Sequence, residues 1–214
     1  MNNPTIEELK NSDKYELVYE LKHHQVKDFV ISQISKGSRL IQVFMIYQFI
    51  MIFIGLFFVT RPVVLSFGGN LQPLLYLLIA LVFSFSILIL IHEMLHALAF
   101  KITGAPRVSI GSYLKKLIFY AQADRHVLNK RQFVFVALVP FIVVKLTTFA
   151  GVAFSWNHPA AYFWIFIMCA HSLFCAGDIA MLDYLYKFSD SELYTFDVKE
   201  EKISYFYRQR ISNI

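Results

Sequence analysis

The sequence predicts an all-α polytopic membrane protein: four transmembrane helices with small cytosolic β-hairpin elements. Three observations carry this prediction. First, the 214 residues are 57% apolar and 17% aromatic but only 16% charged, against about 25% charged in an average soluble domain. Second, the apolar residues gather in four runs, 41–60, 71–100, 133–156 and 160–182, each of a length that can cross a hydrocarbon core. Third, the basic residues flank these runs, as they do in membrane proteins. A chain of this length holds one compact domain. The net charge of +5 does not point to nucleic acid, because the basic residues are not grouped on a soluble fold. Cys169 and Cys175 share one apolar run, six positions apart, which is neither a zinc-knuckle spacing nor a disulfide framework.

Residues 1–39 form a cytosolic or interfacial N-terminal helical segment. Within it, 5–36 reads as a polar, charged helix, broken or continuous, with Ile6, Leu9, Leu17, Leu21, Phe29 and Ile34 as apolar points. Its mixed charges (Glu7, Glu8, Lys10, Asp13, Lys14) and lack of an apolar core argue against a secretory signal peptide. The membrane domain covers 40–182. Its first run is closed by Arg61-Pro62, and Gly68-Gly69-Asn70 marks a loop. The second run ends at Lys101, with Gly104 and Pro106 as the helix stop. Strand-like pieces at 107–110 and 117–123 follow, around Gly111 and Lys115-Lys116. Asn129 followed by Gln132 is a helix start of the capping-box type. Pro140 and Lys145 lie inside the third run, and Asn157-His158-Pro159 turns into the fourth. The cytosolic tail, 183–214, holds a predicted hairpin from 193–198 and 203–207 around Lys199-Glu200-Glu201-Lys202.

The basic residues set an orientation. With four crossings, eighteen Lys and Arg fall on one side and Arg61 alone on the other. The positive-inside rule then places both termini and the 101–132 connection in the cytosol of a multi-pass cell-membrane protein.

His92-Glu93-Met94-Leu95-His96 lies inside the longest apolar run. Ionisable residues at such a place are functional candidates, because hydrocarbon does not solvate them. Residues four apart on a helix differ by about 400° of rotation, so both imidazoles leave one face. They can hold one zinc ion (Zn2+), and Glu93, about 100° away, can reach a water at that ion as the catalytic base. A chance cluster at a helix end is the bland alternative.

A catalytic zinc site takes about three protein ligands and leaves a position for water, so a third must come from elsewhere. Asp178 in the fourth run is the outstanding candidate. It precedes Lys187 by nine residues, and His92 precedes Lys101 by nine, which sets both about 13 Å inside the cytosolic boundary. The competing reading of Asp178 is a helix-end carboxylate paired with a base. Asp183 reads as solvated. Gly177 would let a neighbouring helix approach closely. His171, seven residues before Asp178, would share its face as an orienting donor, an alternative ligand or a packing residue. Cys175 reads as a buried thiol. Lys145 either snorkels or lines a wet cavity. His23, His24, His126 and His158 lie in polar stretches that call for no special role.

The H-E-M-L-H helix end, Gly104, the 107–111 connection, Tyr120-Ala121, Pro140-Phe141 and Gly177-Asp178 together resemble a family of bacterial zincin membrane peptidases. The architecture of that family is similar to that of site-2-type intramembrane metalloproteases. The likeness spans roughly 75–185. It implies that 40–182 is a metalloprotease-like domain and that the third zinc ligand is an Asp in a late membrane helix, matching Asp178. The site-2 proteases carry Leu-Asp-Gly there, whereas this chain has Ala176-Gly177-Asp178.

The expected function is a zinc-dependent intramembrane metallopeptidase. His92, His96 and Asp178 hold the metal, Glu93 is the base, and a membrane protein or peptide in extended form is the substrate. A polar cleft between the second, third and fourth helices admits water, and the 107–123 strands clamp substrate by edge pairing. Two alternatives keep the same residues: a zinc hydrolase acting on a lipid-linked or amphiphilic amide, and a non-catalytic metal-binding regulatory protein. The expected partners are the lipid bilayer and the substrate.

Overall fold

A computed structural model describes residues 3–113, 118–188 and 191–210. Lys115, Lys116 and Leu117 lie outside the described residues. In chain order the elements are α1 (Ile6–Leu9), β1 (Tyr15–Lys22), α2 (Val26–Lys36), α3 (Arg39–Phe67), α4 (Gln72–Ser84), α5 (Ile87–Ile102), β2 (Val108–Tyr113) and β3 (Ile118–Ala123). They continue with β4 (Leu128–Asn129), α6 (Lys130–Phe154), α7 (Ala160–Phe174), α8 (Ala176–Tyr186), β5 (Leu193–Val198) and β6 (Ile203–Gln209).

Helices dominate, but an all-α description needs correction. The strands form two antiparallel sheets, one ordered β1-β6-β5-β4 and one made of β2 and β3. The tail hairpin is β5–β6, turning through Lys202 at φ 56°. The N-terminal segment is not a helix throughout, because Tyr15–Lys22 is the edge strand β1. Leu17 and Leu21 are four apart, a spacing that fits two strand periods as well as one helical turn. A register shift between Leu17 and Tyr19 leaves Leu17 41% exposed while Leu21 is buried, as a bulge does. Leu21 packs with Phe29, Ala180, Leu185, Leu193 and Phe206, which ties β1, α2, α8 and the β5–β6 hairpin into one core.

Two helices, α3 and α6, are each long and apolar enough to cross a membrane. Two further pairs are bent, α4 with α5 by 47° and α7 with α8 by 42°, so the chain has two to four candidate spans. These helices expose large apolar side chains, among them Phe49, Phe53, Val64, Leu146 and Phe149. So much exposed apolar surface is compatible with a membrane setting and unsuited to water.

The second and fourth apolar runs are therefore broken helices rather than straight ones. At the first break the Phe85 N–H donates to the Leu81 carbonyl and the Ser86 N–H to that of Phe83, a tightening from four-residue to three-residue bonds. The Ser86 hydroxyl also takes the Val82 carbonyl at 2.6 Å. The first run is longer than expected: α3 continues through Arg61-Pro62 to Phe67. Pro62 has no N–H for the Phe58 carbonyl four residues earlier, a loss that membrane helices tolerate; one residue before it, the Phe57 carbonyl accepts from the Thr60 hydroxyl. Gly69, at φ 84°, sits in the turn that ends α3. The start of α6 carries the expected capping box, with the Gln132 N–H donating to the Asn129 side chain at 3.0 Å and the Asn129 N–H to that of Gln132 at 3.1 Å. Asn3 joins it by donating to the Gln132 side chain and the Val127 carbonyl. Gly104, at φ 91°, ends α5.

The chain divides into two interleaved compact units. One comprises Met1–Ile41, Glu93–Val139 and Gly177–Ile214, and holds every strand; the other comprises Gln42–His92 and Pro140–Ala176, and is helical. The division falls within α5 (Ile87–Ile102), between His92 and Glu93.

Candidate metal site

The H-E-M-L-H residues occupy the middle of α5. Leu90, Met94 and Leu98, spaced by four, are each more than half exposed, whereas His92, Glu93 and His96 are buried at 5%, 7% and 8%. The helix thus turns its apolar stripe outward and its ionisable groups inward, the reverse of a helix in a soluble core.

The protonation state of His96 can be read from its partners. Its Nδ1 lies 2.9 Å from the Val136 carbonyl oxygen on α6. A carbonyl only accepts, so Nδ1 carries the proton and Nε2 is left to face the other way. Nε2 lies 3.2 Å from Asp178 Oδ1. A lone pair and a carboxylate oxygen repel at that range unless a cation, a proton or a metal, sits between them. Two ligands at about 2.05 Å from a tetrahedral zinc would stand about 3.3 Å apart. The donor types and their spacing therefore fit zinc, and the outward N–H bonded to a carbonyl is the usual support of a metal-bound histidine.

Asp178 reaches this place through the break between α7 and α8. The bend leaves it in the first turn of α8, where the positive end of the helix dipole favours an anion. This corrects the expectation that His171 and Asp178 share a face of one straight helix, because His171 belongs to α7. His171 is completely buried, and its Nε2 lies 3.0 Å from His92 Nδ1. Cys175 is a buried free thiol, as expected.

His92, His171 and Cys175 form a second group of close donors, within 4.8 Å of one another. Its spacing suits a metal less well. A tetrahedral zinc would hold sulfur and nitrogen about 3.6 Å apart, but Cys175 Sγ is 4.0 Å from the His171 nitrogen that faces His92. The thiol donates instead to the His171 carbonyl at 3.3 Å.

Other expected residues are placed differently. Asp183 is not solvated: it is 3% exposed, accepts from the Ser38 hydroxyl and pairs with Lys187 at 3.5 Å. Ser38 also accepts the Ile41 N–H, capping the start of α3. Among the described residues nothing lies within 4 Å of where a Cβ at Gly177 would sit, so Gly177 does not mark a close helix approach. Lys145 donates to the Met168 carbonyl and lies over the Tyr47 and Phe141 rings. His23 is buried against Tyr120 despite its polar surroundings in sequence. The Val136 carbonyl is the participant that sequence could not announce, being a backbone atom. A cleft of about 540 Å3 near the N-terminus, lined by Asn3, Thr103, His126 and Gln132 among others, includes no residue of the H-E-M-L-H segment.

The sequence family described as "Putative zincin peptidase" matches residues 85–193, just over half of the chain. The chain belongs to that family. The match takes in α5 with its H-E-M-L-H, the β2–β3 pair, α6 and Asp178. Membership of the zincin peptidases suggests a metallopeptidase and implies zinc, in agreement with the donor chemistry of His96 and Asp178. No curated protein and no solved structure matches this chain.

Proposed function

We propose that this zincin peptidase is a zinc-dependent intramembrane metallopeptidase that hydrolyses peptide bonds of membrane-associated substrates at a site open to the cytosol. His92, His96 and Asp178 would hold the zinc, and Glu93 is the general base. The observation that carries the reading is the His96 pair: a proton fixed on Nδ1 by the Val136 carbonyl, and Nε2 aimed at the Asp178 carboxylate 3.2 Å away. His92 lies one turn earlier on the same unbroken helix, so its imidazole leaves the same face.

When bound, zinc supplies a Lewis acid and acidifies water to a pKa near 7. Glu93 takes the proton of the attacking water and returns it to the leaving amine. Its burial keeps the carboxylate from being solvated away from that task. Substrate enters extended, since a helix uses its carbonyls in its own hydrogen bonds, and the β2–β3 pair offers strand edges for it.

Several facts support a membrane site. The two breaks at 85–86 and 175 both precede the ligands, so the nine-residue spacings from His92 to Lys101 and from Asp178 to Lys187 run beyond the bends. Each spacing corresponds to about 13 Å of helix between a ligand and a basic residue. With four crossings, the excess of basic residues puts those two lysines and both termini in the cytosol.

The test uses the purified full chain. Wild type carries about one zinc, and the double variant His92→Ala, His96→Ala carries none. Glu93→Gln keeps the zinc and loses at least about 10²-fold in turnover of a single-pass membrane substrate, as removal of a general base does. A wild type free of zinc, or a Glu93→Gln variant that cleaves normally, overturns the reading. Turnover of an amphiphilic amide but of no peptide would transfer the chemistry to a lipid-linked substrate.

A further inference from the structure

We propose that His171 is a positioning residue for the metal ligand His92, and that Cys175 fixes His171 in the tautomer this requires. The inference rests on the zinc reading above. It accounts for a completely buried histidine that neither the metal set nor the base uses.

The argument follows the protons. For His92 to give Nε2 to a metal, its proton must reside on Nδ1. That Nδ1 lies 3.0 Å from His171 Nε2, so His92 donates and His171 Nε2 must be the acceptor. An accepting Nε2 leaves the proton of a neutral His171 on Nδ1. Nδ1 lies 3.7 Å from Cys175 Sγ, within range of a weak N–H to sulfur bond. The thiol disposes of its own hydrogen on the His171 carbonyl, 3.3 Å away. Each donor then meets an acceptor along the line from Cys175 to His171 to His92, and the lone pair at the far end is the one that zinc would take. His171 sits at the end of α7, and Cys175 is the residue at which the chain bends into α8.

Partners that orient a ligating histidine are worth roughly 10- to 100-fold in metal affinity. The experiment measures zinc affinity of the purified full chain by competition with a chromophoric chelator. His171→Phe keeps a ring of similar bulk but cannot accept. It should weaken zinc about 10- to 100-fold while still binding one ion per chain at saturation. His171→Gln, whose side-chain oxygen can accept from His92, should recover most of that loss. Cys175→Ala should lose less than His171→Phe. If His171→Phe does not fold, His171→Met, a flexible apolar replacement, takes its place.

A His171→Phe variant with wild-type affinity, or a His171→Gln variant as weak as His171→Phe, overturns the proposal. So does a thiolate charge-transfer band in the cobalt-substituted wild type, which would make Cys175 a ligand. A wild type without zinc overturns this inference and the function together. Wild-type zinc with an unchanged His171→Phe affinity overturns this inference alone.

Discussion

Asp178→Asn separates a metal ligand from a carboxylate that merely pairs with His96. The substitution keeps the side-chain volume and one oxygen and removes the charge, so a loss reads the anion rather than the packing. Zinc sites with four protein ligands bind with about 10–16 kcal/mol, or about 2.5–4 kcal/mol for each ligand. At about 1.4 kcal/mol per tenfold, removing the Asp178 anion should weaken zinc by about 10²–10³-fold. The geometry argues for the upper part of that range, because the 3.2 Å between His96 Nε2 and Asp178 Oδ1 already matches the ligand spacing and little rearrangement accompanies binding. The assay is chelator competition on the purified chain. Asp183→Asn is the control: Asp183 is also a buried carboxyl side chain, but it is held by Ser38 and Lys187 and should leave zinc affinity unchanged. If Asp178→Asn binds zinc within about threefold of wild type, the carboxylate serves an imidazolium and the third ligand lies elsewhere.

His23 is held neutral by its burial, and by Lys202 nearby, at a pKa of about 4 against an ordinary 6.5. Below pH 6.5 the unfolded chain takes up a proton that the folded chain refuses, so stability falls as pH drops from 6.5 towards 4 and then levels, by about 3 kcal/mol in all. Asp197, raised to about 6 by burial and bonded to the same Ser204 hydroxyl, has the opposite sign over 3.8 to 6. The His23 contribution is therefore read as the difference between wild type and His23→Gln in denaturation followed across pH 4–7; equal slopes would refute it. At Gly151 of α6, an added Cβ would lie 2.3 Å from the Trp164 ring. Gly151→Ala should thus cost about 1–3 kcal/mol in detergent unfolding, while Gly177→Ala, which meets nothing within 4 Å, should cost far less.

The elements legible in the sequence are those where one local rule acts alone. The four-residue spacing of His92 and His96 needs only a helix, and α5 supplies it. The Asn129–Gln132 cap and the β5–β6 hairpin are likewise local, and both form as their residues indicate. The illegible features arise where two rules coincide or where the partner is distant. Leu17 and Leu21 satisfy helix and strand alike, and only pairing of Tyr15–Lys22 with β6 decides. The break at Phe85 and Ser86 carries neither proline nor glycine and shows only in the shortened hydrogen bonds. Asp183 reads as a boundary charge until Ser38, 145 positions away, closes on it.

The broken α7–α8 helix has more chemical consequence than any of these, because of what a straight one would do to Asp178. In the middle of a continuous helix every backbone N–H near Asp178 would be bonded to a carbonyl four residues earlier. A buried carboxylate would then gain nothing from the backbone around it, a costly arrangement in a medium of low dielectric. Restarting the helix at Ala176 leaves the first N–H groups of α8 without intrahelical acceptors and sets Asp178 among them, in the first turn. The start of α8 thus contributes to stabilising the anion. A site meant for a plain salt bridge has no need of that arrangement. A carboxylate proposed to receive a dication would gain from it, since such a ligand would have to stay ionised and available before its metal arrives.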